Sequence, residues 1–132
     1  MKPESAAFLA KAHRLLYEAR TELSVHLTEA CGRAAYLAAL QAAHAYIYER
    51  TGRVARTHKG AHNTFYLLSA DDGRIEAGLR VFLSESYDLK NTADYEVGPN
   101  GIVPAEDAAA ALDTAIRFVA CIGAILDSMP DA

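Results

Sequence analysis

One short stretch concentrates the side chains that could do chemistry. Residues 50–62 read RTGRVARTHKGAH, with four cations (Arg50, Arg53, Arg56, Lys59), two imidazoles (His58, His62) and no acid. The chain as a whole is acidic, with 13 basic against 17 acidic side chains, so this window stands out against its surroundings. A basic patch on an acidic protein is an electrostatic footprint for an anion, most simply a phosphate. The same charges also suit a solvated loop whose cations complement a helix C-terminus. Thr57 reads as a helix N-cap, which puts His58 in the first helical turn. The positive end of a helix disfavours imidazolium, and a histidine kept neutral can accept a proton. An arginine beside it can pair bidentately with phosphate. Together they can cleave RNA without a metal: the base takes the 2′-hydroxyl proton and the guanidinium stabilises charge building on phosphorus. Four residues separate Arg53 from His58, and five separate Arg56 from His62. His58 is the candidate general acid/base, and Arg53 or Arg56 the phosphate holder. Lys59 adds charge, and Arg50 and His62 complete the phosphate-binding set.

The other candidates carry less. His13, His26 and His44 fall on expected helices without carboxylate or cysteine partners at ligand spacing, so neither a metal site nor a cofactor is expected. No glycine-rich phosphate loop follows a strand, and no serine nucleophile elbow is present. Tyr36, Tyr46 and Tyr48 read as core or interface aromatics. Asp94 and Tyr95, in NTADYEVGP, either face the same cleft as the basic loop or, as preferred here, let Tyr95 anchor its own loop onto the bundle. Cys31 and Cys121 lie 90 residues apart in apolar stretches and read as buried free thiols.

These residues need a scaffold, and composition specifies one. The chain has 132 residues, 14.2 kDa, 52% apolar and 23% charged side chains, enough for one domain spanning residues 1–132. Twenty-seven alanines favour helix over strand. The expected architecture is all-α, an antiparallel up-and-down bundle of four to five helices. Apolar spacing predicts helices over residues 4–23, from about 25 or 27 to 51, from 58 to near 69, from 71 or 72 to about 89, and from 104 to before Pro130. The second has two apolar stripes, so it is either central or also carries a subunit interface. Gly52 fits the left-handed position past its end. Residues 91–103 read as a loop. The longest apolar run, residues 118–126, is nine residues against the roughly 20 a membrane span needs, and the N-terminus lacks a signal-type apolar stretch. A cytoplasmic protein without a membrane partner is expected. Net charge of −4 excludes coating nucleic acid by bulk charge.

Residues 32–60, GRAAYLAALQAAHAYIYERTGRVARTHKG, and residues 82–99, FLSESYDLKNTADYEVGP, resemble the HEPN domain proteins. Arg-Ala-x-Tyr, Thr-His-Lys-Gly and Ala-Asp-Tyr come in that family's order, and the similarity runs from about Phe8 to Leu126. The resemblance implies a helical homodimer whose second helix can supply the interface, explaining its two stripes. It implies a bacterial toxin–antitoxin-like module, with a small nucleotidyltransferase as antitoxin partner. It also implies a metal-independent RNase whose Arg and His, four to six residues apart, meet across the dimer cleft. Arg33, in the Arg-Ala-Ala-Tyr run, joins the phosphate-binding candidates. Gln41 stands where many relatives carry histidine, and glutamine cannot act as a general base. Gly60 stands where the toxin motif often has the tyrosine that a partner transferase adenylylates. Both departures favour an alternative: a non-catalytic bundle that binds a nucleotide or a partner nucleotidyltransferase and regulates it.

Overall fold

The computed structural model describes residues 1–129. Among them run six α-helices and one 3-10 turn: α1 Pro3–Ser24, α2 Thr28–Thr51, α3 His58–Leu68, α4 Ala77–Arg80, α5 Phe82–Tyr95, the turn Pro99–Gly101, and α6 Ala105–Asp127. The all-α expectation holds. The expected end of the last helix near Pro130 lies outside the described residues.

Helix α2 is the axis of the bundle. Thirteen of its 24 residues are buried, seven of them alanines, and small side chains let neighbouring backbones come close. Helix α1 packs along it, with α6, α5 and α3 filling its remaining sides. Its two stripes therefore have partners within one chain and do not call for a subunit interface to explain them. The core is aromatic at one end, where Phe65 of α3 meets Tyr46 edge-on and Phe118 of α6 at 5.2 Å between centroids. Gly52 ends α2 at φ 71°, its N–H donating to Tyr48 O, as the left-handed cap requires.

Three segments differ from expectation. The fourth predicted helix is broken. Asp72 turns back onto Arg74 and Tyr46, and the chain stays irregular until Glu76. Ile75 is buried, but from a turn and not from a helix. Helix α5 then continues to Tyr95, so all of NTADY is helical rather than loop. His26 is not helical; it occupies the α1–α2 turn at φ 65°, a positive φ rare for a non-glycine residue.

By length and composition alone, the Pro99–Asp127 stretch ending in α6 is apolar enough to cross a membrane, which the nine-residue run did not show. Here α6 packs its apolar face onto α2 and α1, while Glu106, Asp107, Asp113 and Arg117 stay exposed on its outer side.

Candidate functional site

Helix α3 positions the imidazoles. Thr57 is its N-cap, the hydroxyl accepting from Gly60 N at 2.9 Å. A Cβ at Gly60 would sit 2.9 Å from Thr57 Oγ1, so a side chain there would make the Thr57 hydroxyl shift. From this start, His58, Ala61, His62 and Phe65 share the face turned towards α2 and α5. Ala61 and Phe65 are buried and both imidazoles half-buried, while Lys59 is exposed on the outer surface.

The two rings converge on one atom. Tyr36 is buried completely, and its Oη lies 2.6 Å from His58 Nδ1 and 2.8 Å from His62 Nε2. Tyr87 of α5 closes the cluster, stacked on His58 at 5.2 Å and edge-on to His62 at 5.3 Å. Burial drives the Tyr36 phenol far above its ordinary pKa, with neighbouring Tyr87 adding to the effect. Burial also lowers the pKa of His62, and the nearby His58 lowers it further. His44, farther along α2, is pushed the same way by burial and by His58; its Nδ1 is buried without a partner among the described residues, and its ring stacks on Phe8.

One cation, Lys90, lies against this cluster; those of the basic window are placed elsewhere. Lys90 Nζ lies 6.0 Å from the Tyr87 ring centre and 2.7 Å from Asp94. Arg33 reaches Asp94 at 4.0 Å. Asp94 thus ties α5 to α2 on the side of the bundle that carries Tyr87. Tyr95 does not anchor a loop: it is 73% exposed, with Lys90 over its ring. Arg53 and Arg56 are exposed on the segment between α2 and α3. Arg53, with Thr51, Val54, Ala55 and Thr64, lines a cavity of about 320 Å³. Arg50 faces elsewhere: it donates to Tyr46 Oη at 2.7 Å and towards Leu68 O at 3.4 Å. Gln41 lines a separate groove of about 440 Å³ between α1 and α2, with Phe8, Lys11, Arg14 and Tyr48.

Sequence reasoning paired each histidine with an arginine; the structure pairs the histidines with each other through Tyr36. The i,i+4 spacing of His58 and His62 was the signal for one shared face. Tyr36, Tyr87 and Lys90 were missed as members, because the histidines lie more than 20 residues away from each in sequence and no local pattern joins them. Among the described residues no group of three or more His, Cys, Asp or Glu side chains gathers as a metal site would. Cys31 is buried, whereas Cys121 is only half-buried; burial raises the pKa of both thiols, which keeps them protonated and poorly reactive.

An all-α bundle, Tyr36 in an Arg-Ala-Ala-Tyr run and a Thr-His-Lys-Gly cap are now in one structure, and the HEPN domain model matches residues 5–125. The chain belongs to the HEPN family. No curated relative matches the chain. HEPN membership points to a nuclease or nucleotide-binding helical domain, and HEPN domains commonly dimerise.

Proposed function

We propose that this HEPN domain binds RNA at the α3 face and cleaves it without a metal, with His58 as general acid/base. The observation that carries this is the pair of half-buried imidazoles, one helical turn apart, held by a single buried hydroxyl. Oriented imidazoles and cationic side chains are the groups needed to move a proton off a 2′-hydroxyl and to offset charge on phosphate. Arg53 or Arg56 would hold the phosphate from the exposed segment, with Lys59, Arg33 and His62 around it; Arg50 is engaged by Tyr46. In this reading the protein is a cytoplasmic homodimer, the RNase component of a bacterial toxin–antitoxin-like module with a minimal nucleotidyltransferase as antitoxin. Dimerisation would bring two exposed basic segments to one cleft. His58→Ala should abolish RNA cleavage while leaving the helical circular dichroism unchanged. Equal cleavage by the variant, or none by the wild-type dimer, would refute the catalytic assignment.

Two observations favour a second reading, a bundle that binds a nucleotide or a nucleotidyltransferase without cutting RNA. Gln41 faces the Lys11–Arg14 groove and offers no base. Gly60 stands where the adenylylation tyrosine would be, and a Cβ there would crowd Thr57 Oγ1. Co-purification with a transferase, together with inert RNase assays, would select this reading.

A further inference from the structure

We propose that Tyr36 is a proton switch: its hydroxyl forces the outer nitrogens of His58 and His62 into opposite protonation states, making one ring the acid whenever the other is the base. This deepens the nuclease reading and assigns Tyr36 as a positioning residue acting through both imidazoles.

A phenol has one hydrogen to donate. Tyr36 Oη has a ring nitrogen at 2.6 Å and another at 2.8 Å, so it cannot donate to both. Were both rings to donate to it, the phenolic hydrogen of a fully buried residue would be left without an acceptor, which buried groups avoid. One bond is therefore donated by Tyr36 and the other accepted by it. With both rings neutral, two arrangements remain. In the first, His58 Nδ1–H donates to Tyr36 and Tyr36 donates to His62 Nε2. His58 Nε2 is then bare, and His62 Nδ1 carries a proton. In the second, every one of these positions is reversed. The nitrogens not committed to Tyr36 are always one acceptor and one donor. Neither is among the buried polar atoms left without a partner.

The ring centres are 6.5 Å apart, and the switch requires that one phosphodiester reach both outer nitrogens. In the first arrangement His58 Nε2 takes the 2′-hydroxyl proton as the 2′-oxygen bonds to phosphorus. The bond from phosphorus to the 5′-oxygen breaks, and that oxygen takes the proton from His62 Nδ1. Meanwhile the His58 Nδ1 proton passes to Tyr36 and the Tyr36 proton to His62 Nε2. The products are a 2′,3′-cyclic phosphate and a 5′-hydroxyl, and the rings end in the second arrangement. No imidazolium, imidazolate or tyrosinate persists. The burial that makes Tyr36 hard to ionise and His62 hard to protonate favours this neutral route over a charged one.

The coupling has a signature readable without any substrate. In the first arrangement both rings carry hydrogen on Nδ1; in the second, both carry it on Nε2. Ring-nitrogen NMR of the ¹⁵N-histidine-labelled full chain above pH 7.5 should therefore give His58 and His62 the same tautomer. A mixed pair in the wild type overturns the proposal without a variant, so a misfolded Tyr36→Phe would not shield it. Where the wild type cleaves RNA, Tyr36→Phe should lower kcat at least tenfold with KM little changed; unchanged kcat would overturn the proposal. Matched tautomers in a protein that cuts no RNA would instead uphold the coupling and remove the nuclease reading.

Discussion

Tyr36 and Tyr46 stand ten residues apart on the same helix, both with no exposed surface, both with an aromatic neighbour and two polar partners. Their partners differ in kind. Tyr46 donates to Asp72 Oδ2 at 3.0 Å and accepts from Arg50 Nη1 at 2.7 Å. Arg74 bonds both carboxylate oxygens of Asp72 and is the main reason that its pKa is pulled down to about 2. A carboxylate only accepts and a guanidinium only donates, so the Tyr46 hydrogen has one possible direction. An imidazole does either, so the Tyr36 hydrogen has two. The same buried phenol is a brace in one place and an exchangeable link in the other, and the chemistry of the partner decides which.

Helix α3 supports both tyrosines, and breaking its anchor should have the largest effect. Phe65 touches Tyr46 and Phe118 and is fully buried. Phe65→Ala should cost about 3–5 kcal/mol in denaturant unfolding, as aromatic truncations in cores do. A loss below about 1 kcal/mol would mean that α3 docks mainly through other side chains.

The two phenols can then be compared directly. Tyr46→Phe strands bonds to charged groups and should cost about 1–3 kcal/mol, with any RNA cleavage unaltered. Tyr36→Phe removes bonds to neutral rings that stay partly accessible to water, so about 0.5–1.5 kcal/mol is expected. Here the loss should fall on turnover instead. Equal effects of the two variants on both stability and turnover would erase the distinction between brace and link.

The pH dependence separates the regions further. Burial lowers the pKa of His44 and His62 below the ordinary value, so the unfolded chain binds more protons than the folded one as pH falls through 6.5. That stability is present above the unfolded value and is lost on acidification towards the folded values. Asp72, held near 2, titrates well below this window and leaves the brace intact. The Tm should fall between about pH 7.5 and 5.5, and less so in His62→Gln. A Tm that is flat or rises over this range would contradict the burial of the imidazoles.

How much of this could be read from the sequence follows from the range of the forces involved. Alanine content, stripes at helical spacing, the Thr57 cap and the Gly52 stop are local, and all four reappear in the structure. The break before α4 was not legible, because the Asp72 carboxylate serves Tyr46 and Arg74 instead of capping a helix. In the site, His58 and His62 were visible as chemistry, but Tyr36 looked like packing. Its role depends on α2 and α3 lying side by side, and nothing in the residues next to Tyr36 encodes that. Arg50 shows the converse: its charge was legible, but not that its Nη1 would bond Tyr46 and Leu68.

The basic window itself divides along this line, and its smallest effect is the most discriminating. Arg50 belongs to the brace, and Arg50→Ala should lower the Tm without changing how RNA binding responds to salt. Arg53 and Arg56 are exposed, and among the described residues neither guanidinium has an ion-pair partner, so their removal should leave the Tm unchanged. If they grip phosphate, each substitution should weaken single-stranded RNA binding and flatten log K against log salt by about 0.7 for every phosphate no longer neutralised. Tyr46→Phe should leave that slope alone. A slope that responds to Arg50 but not to Arg53 or Arg56 would move the phosphate away from the imidazoles and onto the brace, reversing the assignment of the two regions.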